Sequence, residues 1–109
     1  MGRIMLATSN STDEEYGGTF IPKWELIGSN SSTTAIAVDI TPYSEIRLVM
    51  RYIADDLIVG STIVTKGECV ANAINVYFSY NGLSFVRLQK GGVNLYSGSS
   101  GYEAILYGR

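Results

Sequence analysis

The side chains in this sequence that could carry out chemistry are ten carboxylates, one cysteine and eight tyrosines, and there is no histidine. Histidine is the most frequent general base and metal ligand in proteins, so its absence excludes Ser-His-Asp and Cys-His catalytic sites. Structural zinc needs several cysteine or histidine ligands and is excluded too. Cys69 stands beside Val70 near apolar segments, which favours a buried and unreactive thiol. Any catalysis would therefore have to use carboxylates.

The carboxylates form no recognisable catalytic or metal-binding pattern. Two acids can hydrolyse a glycosidic bond, but the acids of this chain fall on outward strand positions or in turns, so we interpret them as a solvated face. The pair Asp55-Asp56 offers far fewer oxygens than the roughly 6–8 that calcium takes. Neither Gly91-Gly92 nor the segment Gly98-Ser99-Ser100-Gly101 opens a helix, so no phosphate-binding loop is indicated. The sequence predicts a protein that is not an enzyme and holds no cofactor or metal.

The tyrosines are the one suggestive group of side chains. Rigid aromatic residues with Ser, Gly and Asn neighbours form adaptable binding surfaces, although sheet faces also favour tyrosine without any binding role. Both interpretations stay open at this point. Under the first, the possible receptor or subunit contacts are Asn75, Tyr77, Tyr80, Asn81, Phe85, Arg87, Tyr96 and Tyr102.

Composition and charge exclude several classes of partner. The net charge is −2 and the Lys and Arg residues are scattered singly, so the basic patch of a nucleic-acid-binding protein is missing. No apolar run approaches the ~18 residues of a membrane-spanning helix, so we expect no membrane insertion. A single cysteine permits no disulfide within the chain, which fits folding inside a cell. The length of 109 residues suits one domain.

The elements that would position these residues centre on one hairpin. Residues 72–80 and 83–90 alternate in polarity and flank Asn81-Gly82, the strongest short-range signal for a hairpin with a type I′ turn. This alternation puts Ile74, Val76 and Phe78 in the core and leaves Asn75 and Tyr77 on the other face. In the return strand Val86 and Leu88 point inward, while Phe85 and Arg87 point outward.

Six further segments read as short strands, so the fold class is all-β, an antiparallel β-sandwich of jelly-roll type with about eight strands. These segments are residues 23–28, 33–40, 45–53, 57–66, 93–96 and 102–107, with a flexible Ser/Gly loop at 97–101. Gly60 marks a bend or bulge, and no helix longer than one turn is expected.

Inward and outward residues follow from the alternation within these strands. Trp24 and Leu26 are expected to face inward, as are Ile46, Leu48, Met50 and Tyr52. Apolar residues on the opposite positions indicate subunit packing, unless the second sheet or a loop covers them. These outward residues are Ile27, Val49, Ile53, Phe85 and Ile105.

The chain divides into two parts by composition. Residues 1–21 form an N-terminal arm or connector, in which Asp13 to Glu15 could open a helical turn, and residues 22–109 form the sandwich.

From residue 22 onward the sequence resembles the small β-sandwich domains of tailed-bacteriophage tail fibres and receptor-binding tail proteins. Three strand motifs of that family occur in order: W-x-L at Trp24-Glu25-Leu26, T-x-x-I-x-V beginning at Thr33, and Y-x-E-I beginning at Tyr43. The last strand ends at Tyr107-Gly108-Arg109, as it often does in the family.

The resemblance implies a non-enzymatic structural protein of a virion, assembled in the host cytoplasm and usually a homotrimer. Exposed loops of such a domain contact a glycan or protein of the bacterial surface, and the family offers no motif from which receptor residues can be carried over. Two alternatives remain: a capsid decoration or head-fibre protein fixed by its N-terminal arm, and a cellular carbohydrate-binding module. A small hydrolase is disfavoured by the missing histidine.

Overall fold

A computed structural model describes residues 13–16, 19–79 and 83–109 of the chain. Strands β1 (Asp13–Tyr16) and β2 (Thr19–Pro22) pair in an antiparallel two-stranded sheet that belongs to neither of the larger sheets. The helical turn expected at Asp13 to Glu15 is therefore wrong, since these residues form a strand paired with residues 20–22.

Eight strands form two four-stranded antiparallel sheets that pack as an all-β sandwich, as predicted. Sheet 1 has the order β3-β10-β5-β6, with β3 (Glu25–Asn30), β5 (Glu45–Tyr52), β6 (Leu57–Thr65) and β10 (Tyr102–Gly108). Sheet 2 has the order β4-β9-β8-β7, with β4 (Ile36–Ala37), β7 (Ile74–Ser79), β8 (Leu83–Leu88) and β9 (Asn94–Ser97). Strands far apart in the chain pair as in a jelly roll, β3 with β10 and β4 with β9. Strands next to each other in the chain also pair: β5 with β6 in sheet 1, and β7 with β8 and β8 with β9 in sheet 2.

The core lies between the sheets and follows the predicted alternation. Strand β5 is central in sheet 1, and its Ile46, Leu48 and Met50 have no exposed surface. Side chains from sheet 2 close the core from the other side. They are Val76, Val86, Leu88 and Leu95. Gly60 of β6 lets the sheets approach, because a Cβ there would lie 2.8 Å from Cγ1 of Val76. The irregularity predicted at Gly60 is present as a register shift opposite Met50 and Arg51.

Strand β3 is the place where the predicted alternation is wrong. Its pairing with β10 passes from Leu106–Gly28 directly to Tyr107–Leu26, so Ile27 is an extra residue at a bulge. A bulge of one residue reverses the faces of the positions before it. Leu26 is therefore 63% exposed on the outer side of sheet 1, and Ile27 packs against the core, opposite to the expectation for both.

The expectation that no helix exceeds one turn is wrong, because a helix of six residues follows β6. Helix α1 (Lys66–Ala71) begins with a capping box, in which the Thr65 hydroxyl accepts a hydrogen bond from the Glu68 amide and the Glu68 carboxylate accepts one from the Thr65 amide. The helix buries Cys69 completely, so the predicted burial of this thiol is confirmed. Burial raises the pKa of the thiol to about 11.

The central hairpin forms with the predicted faces but with a different register. Ser79 pairs with Leu83, whereas a two-residue loop at Asn81-Gly82 would have paired residue 80 with Leu83. The turn itself lies outside the described residues.

The Ser/Gly segment 97–101 was expected to be a flexible loop, but backbone hydrogen bonds hold both of its ends. Ser97 is buried and its amide donates to the carbonyl of Ser32, while the carbonyl of Gly101 accepts from the amide of Ile53.

Candidate functional site: an aromatic–arginine cluster

The site is built on the outer face of sheet 2, where the register places three polar side chains in one row across three strands. Asn75 of β7 pairs with Arg87 of β8, and Arg87 pairs with Tyr96 of β9. Residues paired in an antiparallel sheet project from the same face. Their chain neighbours Val76, Val86, Leu88 and Leu95 fill the core, so this row points away from it.

Arg87 is held at the centre of this row by both neighbours. Its Nε donates to Oδ1 of Asn75, and its Nη1 donates to the hydroxyl of Tyr96 at 2.8 Å. The guanidinium carbon also lies 4.7 Å from the centre of the Phe85 ring and 5.8 Å from that of Tyr96. These distances are in the range of cation–π attraction, so the side chain is fixed in direction by two hydrogen bonds and two rings.

A second row adds two aromatic rings beside the first. Tyr77 pairs with Phe85, and their ring centres are 6.0 Å apart. The Phe85 ring meets that of Tyr96 edge-on, at 6.2 Å and 81°. Tyr77 is 52% exposed, so about half of the residue is accessible from outside. We call Asn75, Tyr77, Phe85, Arg87 and Tyr96 the aromatic–arginine cluster.

The Ser/Gly segment supports the cluster from one side. The Phe85 ring lies over Gly98 so closely that a Cβ at Gly98 would come within 2.2 Å of the ring. The Gly98 amide donates to the Phe85 carbonyl at 2.8 Å, and the Phe85 amide donates to the Ser99 hydroxyl at 3.4 Å. A glycine at 98 is thus required for the ring position that Arg87 and Tyr96 contact.

Charge is distributed differently on the two sheets. In sheet 1, Arg51 bridges Glu103 and Asp56, each at 2.8 Å. Just beyond that sheet, Arg109 pairs with Glu45 at 2.9 Å and lies over the Trp24 ring. In sheet 2, Arg87 is the only charged residue in the four strands, and no described carboxylate lies within 4 Å of it. The cluster is therefore a locally cationic, aromatic surface.

The predicted contact residues divide into three groups in the structure. Asn75, Tyr77, Phe85, Arg87 and Tyr96 come together in the cluster. Tyr80 and Asn81 lie outside the described residues. Tyr102 is separate, because it projects from β10 toward the core and contacts the rings of Tyr52 at 5.3 Å and Phe78 at 6.1 Å. Tyr102 therefore belongs to the packing between the sheets, which corrects its prediction as a surface contact.

Sequence reasoning named all five residues of the cluster and placed the four residues of the hairpin on one face, but it predicted no contact between them and Tyr96. Alternation alone separated Asn75 and Tyr77 from the core positions. Tyr96 contacts Arg87 because β9 pairs with β8 in a meander. In the sequence, the short turn at Gly91-Gly92 was the one signal that favoured this pairing. No sequence pattern predicted the contacts of Gly98 and Ser99 with Phe85, because these contacts depend on how the loop packs against the Phe85 ring.

The cluster has the chemical groups of a binding surface. Flat aromatic faces accept the C–H surfaces of a ligand, while the amide, hydroxyl and guanidinium groups bind its polar atoms. The cluster contains no carboxylate, thiol or imidazole that could transfer a proton or attack a bond. Over the described parts of the chain, no group of three or more acidic or cysteine side chains is placed to hold a metal ion.

The outer face of sheet 1 has a different character, since it combines exposed apolar side chains with the Arg51–Glu103 ion pair. One row across all four strands contains Leu26, Tyr107, Arg47 and Ile63, in that order. Ile63 is 53% exposed, and the Nε of Arg47 is buried without a hydrogen-bond partner. The next row contains Val49, which is almost fully buried, and half-buried Ile105. Of the five apolar residues expected to point outward, Val49 and Ile105 lie on this face.

A scan of the chain against models of protein families, a search of curated proteins and a search of solved structures each gave no match. The resemblance to tail-fibre domains therefore stays a prediction. Within the described segments, no helix has the length and apolar character needed to cross a membrane.

Proposed function

We propose that this chain is a non-enzymatic structural protein of a bacteriophage virion, of the tail-fibre or tail-tip type, and that it recognises the host surface through the aromatic–arginine cluster. The observation that carries this proposal is the cluster itself. Five of the eight residues named from sequence as possible contacts lie side by side on one exposed sheet face. Their chemistry is that of recognition surfaces, in which aromatic residues and arginine supply most of the binding energy.

The fold agrees with this role because a rigid sheet presents the cluster. The β7, β8 and β9 strands fix the spacing of the side chains, so little conformational entropy is lost when a ligand binds. The ligand would be a glycan or protein of the bacterial envelope, and the assembled protein would be a homo-oligomer, with a trimer favoured, located in the virion.

Binding of the labelled, assembled protein to a panel of bacterial cells tests the proposal. We expect the wild type to bind one or more strains, and Tyr77→Ala to lose at least tenfold in binding while its thermal unfolding stays unchanged. Leu57→Ala is the matched control, since Leu57 is similarly exposed, at 54%, but belongs to sheet 1. Unchanged binding by Tyr77→Ala would contradict a role for the cluster.

A capsid decoration or head-fibre protein is the second candidate. The apolar outer face of sheet 1 favours it, because a surface with Leu26 at 63% and Ile63 at 53% exposure suits docking on a shell. The separate sheet of β1 and β2 would serve as the anchoring arm. A protein that binds no cells but adds to preformed capsids would establish this alternative and overturn host recognition.

A further inference from the structure

We infer that the aromatic–arginine cluster binds an acidic sugar, with Arg87 pairing with the carboxylate of the ligand. This inference rests on the proposed function, because it names the chemical class of ligand that the same face would recognise. Three properties of the cluster lead to it: an uncompensated cation, the free donors of that cation, and the rings beside it.

No carboxylate among the residues whose side chains the structure describes pairs with Arg87. Asn75 and Tyr96 accept its hydrogen bonds through neutral oxygens, and Phe85 and Tyr96 contact it through ring faces. Arg51 and Arg109, by contrast, each pair with a carboxylate. A cation held by neutral groups retains its full attraction for an anion, and that attraction is stronger beside apolar rings than in open water.

The remaining donors of Arg87 match a carboxylate. A guanidinium group has five N–H donors in a rigid fork, and the two hydrogen bonds to Asn75 and Tyr96 use two of them. The three other donors, on Nη1 and Nη2, make no hydrogen bond to a described residue, and their geometry suits a planar anion bound by two parallel hydrogen bonds. Because the side chain is already fixed in direction, binding costs little additional side-chain entropy.

The neighbouring groups match the rest of a sugar residue. Tyr77 presents a half-exposed ring on which the C–H face of a sugar can pack, and the Asn75 amide and Tyr96 hydroxyl lie where ring hydroxyls can bind. A single cation suits a ligand with one carboxylate per residue. A nucleic acid is disfavoured, because phosphate backbones are bound by several cations and these four strands contain only one.

The test measures binding of the 109-residue chain to three polysaccharides that carry one carboxylate per sugar: polygalacturonate, alginate and polysialic acid. Each probe is paired with its own carboxyl-reduced form, which keeps the backbone but has lost the charge. We expect at least one acidic probe to bind ten or more times as tightly as its reduced partner, and this preference to weaken as salt is raised.

Variants then assign the preference to Arg87. Arg87→Gln removes the charge and should make the acidic and reduced probes equal, while Arg87→Lys keeps the charge without the fork and should retain part of the preference. Arg51→Gln is the matched control, because it changes the net charge by the same amount on sheet 1 and should leave the preference intact. Thermal unfolding of each variant monitors the fold, and the comparison of probes on the wild type does not depend on any variant.

Different failures separate the inference from the proposed function. Equal affinity for acidic and reduced probes, with loss of both on Tyr77→Ala, would overturn the acidic ligand and leave host recognition in place. A preference that persists in folded Arg87→Gln would also overturn the inference, as would cell binding without binding to any acidic probe. Absence of binding to cells and to every probe would overturn both.

Discussion

Phe85 is the residue on which the geometry of the cluster depends, since it contacts Tyr77, Arg87 and Tyr96. Its ring has little freedom to move, because Gly98 lies directly beneath it. A side chain at 98 would displace the ring and with it the cation–π contact of Arg87. Stability and recognition are therefore coupled at this position.

We predict that Gly98→Ala lowers the free energy of unfolding by about 1–3 kcal/mol, as overpacking of a close contact does. The added Cβ would lie 2.2 Å from the Phe85 ring, and the ring cannot yield without losing its neighbours. Urea denaturation measures the change, and ligand binding should weaken in parallel.

The control for this substitution is Gly67→Ala. Gly67 lies in helix α1, and the nearest atom to an added Cβ is the Thr65 hydroxyl at 3.8 Å. Alanine there should stabilise the protein by about 0.5–1 kcal/mol, because glycine is a poor helix former. A Gly98→Ala protein as stable as the wild type would show that the Phe85 ring is not confined by this contact.

At the scale of elements, helix α1 is held to the sandwich by Cys69. The thiol is fully buried, and the carbonyl of Cys69 accepts a hydrogen bond from the amide of Gly91 at 2.9 Å. Desolvation, with a smaller contribution from the charge of Glu68, raises the pKa of the thiol from 9.0 to about 11. The native state therefore keeps this proton at pH values where the unfolded chain has lost it.

We predict that this difference lowers the stability of the protein between pH 9 and pH 11. In that range the unfolded state binds fewer protons than the native state, so the free energy of unfolding falls as pH rises. Other groups titrate in the same range, so the measurement compares wild type with Cys69→Ala by urea denaturation from pH 7 upward. The stability advantage of the wild type should shrink above pH 9, and parallel profiles for the two proteins would contradict the prediction.

The same elements show how far sequence reasoning extends. The strands of the sandwich and the core face of β5 follow from alternation, because Ile46, Leu48 and Met50 recur with a period of two and all three are fully buried. Alternation is a local property, and it therefore fails where a non-local contact decides the outcome. Leu26 and Ile27 exchange faces because of a bulge against Leu106 and Tyr107, 80 residues away in the chain.

Helix α1 and the aromatic–arginine cluster also show where reasoning from local sequence patterns stops. The capping pair Thr65 and Glu68 has the spacing of a helix start, but the aliphatic run before it favoured continued strand and turn. For the cluster, alternation placed Asn75 and Tyr77 correctly on one hairpin face. The pairing of Arg87 with Tyr96 required the sheet order, which depends on how the whole sandwich assembles.

At the scale of the whole molecule, the two outer faces differ in the side chains that they expose. Sheet 2 carries the aromatic–arginine cluster, with hydrogen-bonded polar groups and one cation. Sheet 1 carries Leu26, Ile58 and Ile63, which are each at least half exposed, around the nearly buried Val49. A chain that recognises a ligand with one face and assembles with the other would have this distribution.

We therefore predict that the protein is a homo-oligomer, with a trimer favoured, in which the outer face of sheet 1 lies between subunits. Light scattering should give a mass of three times the 11.8 kDa of one chain. Ile63→Lys should reduce this mass to that of one chain, because it puts a second positive charge beside Arg47 in the contact between subunits.

Val93→Lys is the matched control. Val93 is similarly exposed, at 51%, but precedes β9 of sheet 2, so the oligomer of this variant should persist. A wild-type protein that stays at the mass of one chain across a concentration series would contradict subunit packing, and the exposed apolar residues would then favour docking on a different protein.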